Sequence, residues 1–265
     1  EIVQPFANPQ VGMVAATILA RNRTACLVAR LQSYEYLQSI FLGRMVSERL
    51  KILGIASGAF AAIRRAALQQ VGGWDVGPPE DMDLTIRVRK AGYDVALAPF
   101  AVCYTDVPTT WKGLIRQRLR WDQGAVVRHF LRKHSDLLNP LCRNFRLSNL
   151  LMAIDQLLFE FLCPYFFFVY VVWMCLDPVE NLSFVALALY LLSLKFELVQ
   201  IVTLPFYSMD PRRDLAACAV FPLMPLYRLM LMVVRVVANS QELLWRRSFE
   251  DNFVPRHVRE ATWHW

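Results

Sequence analysis

Hydrophobic and polar positions alternate regularly over the first half of the chain and give way to long apolar runs in the second half. An apolar run containing β-branched residues at 11–18 predicts a buried strand. Apolar residues at helical spacing over 24–50, with Thr24 as the N-cap, predict a long helix. The pattern therefore predicts an α/β domain at the start of the chain.

Shorter elements are predicted after this helix. They are a strand at 52–63 interrupted by Ser57-Gly58, a helix at 64–70 closed by Gly72-Gly73, strands at 93–98 and 101–105, and a helix at about 110–130. A glycine inside a strand usually indicates a bulge. The functional alternative is a place where the backbone approaches a bound sugar closely.

The segment 82–89 alternates apolar and polar residues as a strand would, but its ends indicate a helix. A proline and two acidic residues precede it, and a lysine and a glycine follow it, as in helix first and last turns. These residues are Pro79, Glu80, Asp81, Lys90 and Gly92. We therefore expect a helix that begins with paired carboxylates.

The apolar runs of the second half predict membrane helices. Residues 150–176 and 182–206 are each long enough to cross a bilayer, whereas 215–238 contains two prolines and leaves a span, an interfacial helix or a re-entrant segment open. Hydrophobic residues make up 56% of the chain, more than a soluble domain requires. We expect a domain at 1–140, a transmembrane region at 141–245 with two or three spans, and a basic tail at 246–265.

Charged residues inside the two clear spans are costly in lipid, so we expect them to face protein or a wet channel. They are Asp155, Glu160, Lys195 and Glu197. Snorkelling or pairing between helices is the preferred interpretation, slightly ahead of a role in conducting sugar. Asp177 and Glu180 are typical of an outer loop, which places the first half of the chain in the cytoplasm.

Charge, cysteines and histidines restrict the remaining function classes. The net charge is +7, but the basic residues flank the apolar runs instead of forming a nucleic-acid stripe, so no nucleic acid is expected. The six cysteines form no close pair and no metal-ligand spacing, which indicates free thiols. His129 and His134 stand five positions apart, a poor spacing for a helical metal pair, and are expected on a solvated basic face.

Two polar motifs carry the candidate chemistry. Glu80 and Asp81 at a helix start could be simple caps, but a fixed carboxylate also suits a general base for a sugar hydroxyl, and the short loop 76–79 presents the pair. In the second motif, Gln117, Arg120 and Trp121 share one helical face. A guanidinium can bind pyrophosphate oxygens, and an indole can stack on a sugar ring. The alternative is a helix that lies on the membrane surface with its tryptophan at the level of the lipid headgroups.

These motifs together resemble the processive family 2 glycosyltransferases, the synthases of cellulose, chitin, hyaluronan and poly-N-acetylglucosamine. The matching segments are Glu80-Asp81-Met82-Asp83-Leu84, Gln117-Arg118-Leu119-Arg120-Trp121, Ser57-Gly58-Ala59-Phe60, Val71-Gly72-Gly73-Trp74, Thr105-Asp106-Val107-Pro108 and Trp121-Asp122-Gln123-Gly124. The tail at 253–265 is similar to the bacterial poly-N-acetylglucosamine synthase-like branch. The resemblance covers nearly the whole chain.

The resemblance implies a role for each matching position. Asp81 is the implied catalytic base, with Glu80 as its acidic neighbour. Implied substrate-binding residues are Glu80, Ser57, Gly58, Gln117, Arg118, Arg120 and Trp121. The implied fold is the C-terminal part of a GT-A nucleotide-diphospho-sugar transferase domain, followed by an all-α transmembrane region.

One departure from the family pattern shapes the expected activity. Family members bind UDP and a divalent metal, Mg²⁺ or Mn²⁺, through an N-terminal half with its own D-x-D motif, and no such half precedes Glu1. Asp81-Met82-Asp83 matches the D-x-D pattern, but it lies in the motif that contains the implied catalytic base and is not counted as a second motif. We therefore expect the metal ligands outside this chain, a missing donor-binding half as a partner, and little autonomous transfer.

The resulting hypothesis is an inverting membrane glycosyltransferase of a bacterial inner membrane that adds sugar from a UDP-sugar to a growing β-linked polysaccharide. N-acetylglucosamine is suggested by the branch resemblance, and other hexoses, glucuronate alternation or a single-addition lipid acceptor stay open. The alternative is a non-catalytic glycan-binding or scaffolding subunit of a synthase complex. A transporter is disfavoured because the spans are few and the polar motifs lie outside them.

Overall fold

The structure of the protein is a computed structural model that describes residues 1–74, 79–142, 145–176, 182–250 and 257. The strands are β1 (Val11–Ala20), β2 (Ala61–Ile63) and β3 (Asp94–Thr105). The helices of the first half are α1 (Leu27–Tyr36), α2 (Arg44–Arg49), α3 (Arg65–Gln70), α4 (Glu80–Lys90) and α5 (Trp111–Asp122). Those of the second half are α6 (Leu147–Leu157), α7 (Cys163–Leu176), α8 (Leu182–Thr203), α9 (Pro211–Ala217) and α10 (Met224–Trp245).

The sheet has the order β2-β1-β3 over the described residues, with β1 antiparallel to β2 and parallel to β3. Nine of the ten β1 residues are buried, as expected for a central strand covered on both faces. The strand predicted at 11–18 is confirmed. The two strands predicted at 93–98 and 101–105 are one strand, because the Thr17 hydroxyl donates to the Pro99 carbonyl at 2.8 Å and holds the chain beside β1 across a register shift.

The predicted helix beginning at Thr24 starts later in the structure. Cys26 is the N-cap residue, and its side chain makes no capping hydrogen bond. The Asn22 side chain hydrogen-bonds both the N–H and the carbonyl of Val107, which pins the chain in a turn before the helix can begin. From Leu27 the helix runs to Arg49 with one π-helical stretch, Leu37–Gly43. The prediction of a long helix is therefore confirmed, and the cap at Thr24 is wrong.

Residues 52–60 do not form the predicted strand. Side chains of α4 satisfy their backbone instead: Thr85 Oγ1 accepts from the N–H of Ala56 at 3.0 Å, and the Arg89 guanidinium donates to the carbonyl of Leu53 at 3.3 Å. The chain therefore lies along α4, and pairing with β1 is limited to Ala61–Ile63.

Helix α4 forms as its ends predicted, from Glu80 to Lys90, and Gly92 follows it with φ of +97°. The loop at 76–78 that was predicted to present its acidic start lies outside the described residues. Leu84 and Val88 of α4 pack on Met13 and Ala15 of β1 in a buried cluster. This packing fixes the first turn of α4 relative to the sheet.

The helix predicted at about 110–130 is two helices. Thr110 caps α5 by accepting from the N–H of Gly113 at 3.1 Å, and α5 ends at Asp122. Gly124 then adopts a φ of +80°, which turns the chain before a π-helix, Val127–Lys133. The π-helix changes which side chains share a face, since its hydrogen bonds join residues five apart.

Three helices are long and apolar enough to cross a membrane by length and composition: Leu147–Met174, Leu182–Phe206 and Pro211–Trp245. The third includes a 3-10 stretch with Pro222 inside it. A buried cluster joins this region to the first half of the chain, with Leu31 and Tyr34 of α1 and Leu114 of α5 against Met224 and Tyr227 of α10.

Two of the four charged side chains that were predicted within the spans form ion pairs inside the protein, as expected. Glu197 is 3% exposed and pairs with Arg228 at 3.0 Å, and Glu160 pairs with Arg235 at 2.7 Å. Lys195 differs, because its side chain is exposed on the outside of α8. Asp177 and Glu180 lie outside the described residues, as do 251–256 and 258–265 of the predicted tail at 246–265.

Candidate functional site

The carboxylate of Asp81 is oriented by two backbone N–H groups. Its Oδ2 accepts from Gly58 at 2.9 Å and its Oδ1 accepts from Met82 at 2.8 Å. The structure thus brings the predicted pairs Ser57-Gly58 and Glu80-Asp81 together. A Cβ atom placed on Gly58 would lie 3.5 Å from Oε1 of Glu80 and 3.7 Å from Oδ2 of Asp81, so glycine leaves both carboxylates open on this side.

The second group of predicted site residues lies on α5. Leu114 and Arg118 form its buried side, and Trp121 is 37% exposed. Gln117 is half-buried, and its Oε1 is a buried acceptor with no hydrogen-bond partner in the described part of the chain. An acceptor in this position suits a ligand that brings its own hydroxyl or amide donor.

Arg118 occupies a different environment from the other polar residues of α5. It is 8% exposed, its Nη2 donates to Oε2 of Glu35 at 2.8 Å, and its guanidinium stacks over the ring of Trp121 at 4.4 Å. Burial opposes its charge, but Glu35 and nearby tyrosines and Asp122 raise its pKa above the ordinary arginine value. Arg118 is therefore a fixed cation behind the exposed indole.

Two residues that the sequence did not single out connect the Asp81 and α5 groups. Tyr36 lies under Arg118, with 5.8 Å from the guanidinium carbon to its ring centroid. Arg44 interacts electrostatically with both Asp81 and Tyr36, although burial lowers the pKa of Arg44 to about 10. Arg44 follows the π-helical stretch of the first helix, and no local sequence pattern indicated an electrostatic interaction with Asp81.

Asp83 is buried on the opposite side of α4, in a cluster of basic groups. Its Oδ2 accepts from Nε of Arg87 at 2.7 Å, and its Oδ1 lies 2.7 Å from Nζ of Lys133 and 2.9 Å from Nε2 of His134. Burial works against the charge, but the hydrogen bonds from His134 and Lys133 hold the pKa of Asp83 well below its usual range.

The expectation of a solvated basic face for His129 and His134 is wrong. Both rings are buried, and they stack with centroids 6.0 Å apart beside Asp83. The π-helix is the physical reason: the N–H of His134 donates to the carbonyl of His129 at 2.7 Å, so residues five apart share a face. Burial lowers the pKa of both imidazoles, against the opposing charge of Asp83.

Asp83, His129 and His134 place three potential metal-ligand atoms within 4.8 Å of one another. The donor set does not fit the Mg²⁺ or Mn²⁺ expected for the family, because those ions prefer several oxygen ligands. Both oxygens of Asp83 already face cations, Arg87 and Lys133, which would repel a divalent ion. The charge of Asp83 is therefore balanced by protein cations, and the cluster does not act as a metal site in the reaction.

Comparison with known proteins identifies the class. The family described as glycosyl transferase family group 2 matches residues 1–232, well over half of the chain, and the chain belongs to this family. The assignment made from the sequence motifs is thus confirmed, as is the mixed α/β glycosyltransferase fold followed by apolar helices.

Among named relatives, the poly-beta-1,6-N-acetyl-D-glucosamine synthase of Staphylococcus epidermidis is 29% identical over 154 residues, covering 57% of this chain and 35% of the relative. The probable glycosyltransferase YdaM of Bacillus subtilis is 33% identical over 144 residues, covering 51% and 32%. The chain thus spans about a third of the length of these relatives.

A solved structure, the mannosyltransferase PcManGT from Pyrobaculum calidifontis in complex with GDP-Man and Mn²⁺, is similar over 91% of this chain and 56% of that one. The identity is 21% and the TM-score is 0.49.

Proposed function

We propose that this chain is the acceptor-side part of an inverting membrane glycosyltransferase that extends a β-linked polysaccharide from a UDP-sugar. The observation that carries the proposal is the position of Asp81 in the first turn of α4, where the N–H groups of Gly58 and Met82 hold its two carboxylate oxygens. Membership of the glycosyltransferase family supports the same reading.

In the proposed reaction, the acceptor hydroxyl lies beside Gly58 and gives its proton to the carboxylate of Asp81 as its oxygen attacks the anomeric carbon of the donor sugar. The bond from that carbon to the UDP oxygen breaks, UDP leaves with the bonding electrons, and the configuration at the carbon inverts. Glu80 stands next to this position, where it accepts hydrogen bonds from the sugar hydroxyls.

Helix α5 supplies the remaining contacts. The exposed indole of Trp121 stacks on the apolar face of an acceptor ring. Oε1 of Gln117, which has no hydrogen-bond partner in the described residues, accepts a hydrogen bond from a hydroxyl or amide group of the sugar. Arg120 binds pyrophosphate oxygens. A divalent ion on the donor-binding half, Mg²⁺ or Mn²⁺, would neutralise the leaving pyrophosphate, with its ligands outside this chain.

N-acetylglucosamine is the proposed sugar, supported by the names of the relatives from Staphylococcus. The proposal also keeps the division at 1–140, 141–245 and 246–265, with the catalytic domain on the cytoplasmic face of a bacterial inner membrane. The three apolar helices support a membrane location.

The test is sugar incorporation from a panel of radiolabelled UDP-sugars in membranes that contain this chain, alone and together with a donor-binding half. The proposal predicts incorporation of N-acetylglucosamine with the added half. If no sugar is incorporated in either combination, the result would favour the alternative hypothesis of a non-catalytic glycan-binding or scaffolding subunit.

A further inference from the structure

We infer that Glu35 and Tyr227 are positioning residues that act through Arg118 to hold the indole of Trp121 in its sugar-stacking orientation. Because Tyr227 belongs to α10, a candidate membrane span thereby fixes the acceptor-binding surface. The inference rests on the proposed function, since it concerns the residue that would stack on the acceptor sugar.

The carboxylate of Glu35 is the centre of the arrangement. Its Oε2 accepts from Nη2 of Arg118 at 2.8 Å and from Oη of Tyr227 at 2.6 Å. Arg118 and Tyr227 are 8% and 3% exposed. Hydrogen bonds to an ionised carboxylate are stronger than those between neutral groups, and the Glu35 side chain is only 18% exposed. This three-residue group, the Glu35 clamp, therefore restricts the rotamers of all its members.

The clamp determines the plane of the Arg118 guanidinium. The guanidinium carbon lies 4.4 Å from the ring centroid of Trp121 and 5.8 Å from that of Tyr36. Stacking on arginine covers one face of an indole and leaves the other face available, in agreement with the 37% exposure of Trp121. Tilting the guanidinium would therefore tilt the indole.

Helix α10 makes two further polar contacts with the end of α5, beyond Trp121. Arg235 lies 3.7 Å from Asp122, and Gln123 Nε2 donates to Oε1 of Gln241 at 2.6 Å. Together with Tyr227 these contacts follow α10 over four turns, so α10 supports α5 on both sides of the indole.

In the described residues, the Asp81 carboxylate makes no hydrogen bond or ion pair with α10, and the apolar helix that packs against its neighbour Met82 is α6. Asp81 is held by Gly58 and Met82 of the α/β domain. Disturbing the clamp should therefore change acceptor binding while leaving the base in place. A clamp with a purely structural role would lower stability without this selective effect.

The experiment uses the complete protein in membranes or detergent, with the variants Tyr227→Phe and Glu35→Gln. The matched control is Tyr190→Phe, because Tyr190 also donates a hydrogen bond between apolar helices, to the carbonyl of Pro222 at 2.8 Å, away from the clamp. The readouts are KM for an oligosaccharide acceptor, KM for the UDP-sugar, kcat, and equilibrium binding of a fluorescently labelled β-1,6-linked N-acetylglucosamine oligosaccharide.

We expect each clamp variant to raise the acceptor KM and the oligosaccharide Kd by about three- to tenfold, because each weakens the hydrogen bonds that orient the indole and a typical hydrogen bond contributes a free energy equivalent to about that factor. The UDP-sugar KM and kcat should stay within about twofold, and Tyr190→Phe should change none of these values. In a Trp121→Ala background, Tyr227→Phe should add no further loss, because the indole that it positions is gone.

Additive losses in the double variant, or equal losses in the clamp variants and in Tyr190→Phe, would overturn the inference. A wild-type protein that binds the oligosaccharide in a Tyr227-dependent way but transfers no sugar would leave the clamp in place and remove the enzymatic proposal. A wild-type protein that neither binds nor transfers would overturn both.

Discussion

The backbone N–H of Gly58 donates to Oδ2 of Asp81 at 2.9 Å and so joins the chain before β2 to the first turn of α4. The second carboxylate oxygen accepts from the N–H of Met82 at 2.8 Å. Backbone groups therefore orient this carboxylate, and in the part of the chain that the structure describes no side chain donates a hydrogen bond to it.

Gly58→Ala tests the open side of the acidic pair. The added methyl group would make ordinary van der Waals contacts, 3.5 Å from Oε1 of Glu80 and 3.7 Å from Oδ2 of Asp81, so we expect the thermal midpoint to stay within a few degrees. The same methyl group occupies the place proposed for the acceptor hydroxyl, so transfer should fall by about tenfold or more. Unchanged transfer in a folded variant would contradict the proposed acceptor position.

Asp83→Asn tests the interpretation of the buried ion cluster. The substitution leaves Arg87 and Lys133 without their shared counter-ion, so the free energy of unfolding should fall by about 3–5 kcal/mol in denaturant titrations in detergent. The control is Asp136→Asn, which breaks the half-exposed pair with Lys90 and should cost about 1 kcal/mol or less. Equal losses for the two variants would show that Asp83 is not a buried counter-ion.

The buried histidines predict how stability depends on pH. The pKa values of His129 and His134 are lowered in the folded state by burial, which Asp83 only partly offsets. The unfolded chain, with histidine pKa near about 6.5, therefore binds more protons below that pH. Stability from this source is present above about pH 6.5 and is lost as the pH falls below it, by up to about 1.4 kcal/mol per pH unit for each histidine.

Unfolding titrations between about pH 7.5 and 5.5 measure this dependence. The charged groups around the two rings are Asp83, Lys90, Arg128 and Lys133. His134→Gln keeps a side-chain donor for Asp83 but removes one titrating group, so the slope should decrease by about half. Stability that rises on acidification in the wild-type protein would exclude neutral buried imidazoles.

Local signals in the sequence were sufficient for part of the fold. The acidic start and glycine end of α4 outweighed its strand-like alternation, and the helix formed between the predicted ends. The cap at Thr24 failed because Asn22 binds Val107, a contact 85 residues away that no local pattern reveals. The strand at 52–60 failed for a similar reason, since α4 side chains took its backbone partners.

In the candidate site, too, local sequence signals predicted some features, and distant contacts determined others. Spacing placed Gln117, Arg120 and Trp121 on one helix. The cost of a charge in lipid led us to expect Glu160 and Glu197 to face protein, and both form ion pairs with arginines of α10. Helical spacing misled for His129 and His134, because a π-helix brings residues five apart onto one face. The contact of Glu35 with Tyr227 spans 192 residues and depends on how α10 packs, so only the folded chain reveals it.

The proposed role of Asp81 as the base is tested by the rate of sugar incorporation by Asp81→Asn in membranes containing the complete protein. We predict a loss of about 10²- to 10⁴-fold with unchanged oligosaccharide binding, since asparagine is nearly isosteric but cannot accept the proton. Incorporation within about threefold of wild type would exclude Asp81 as the base and leave it as a helix cap.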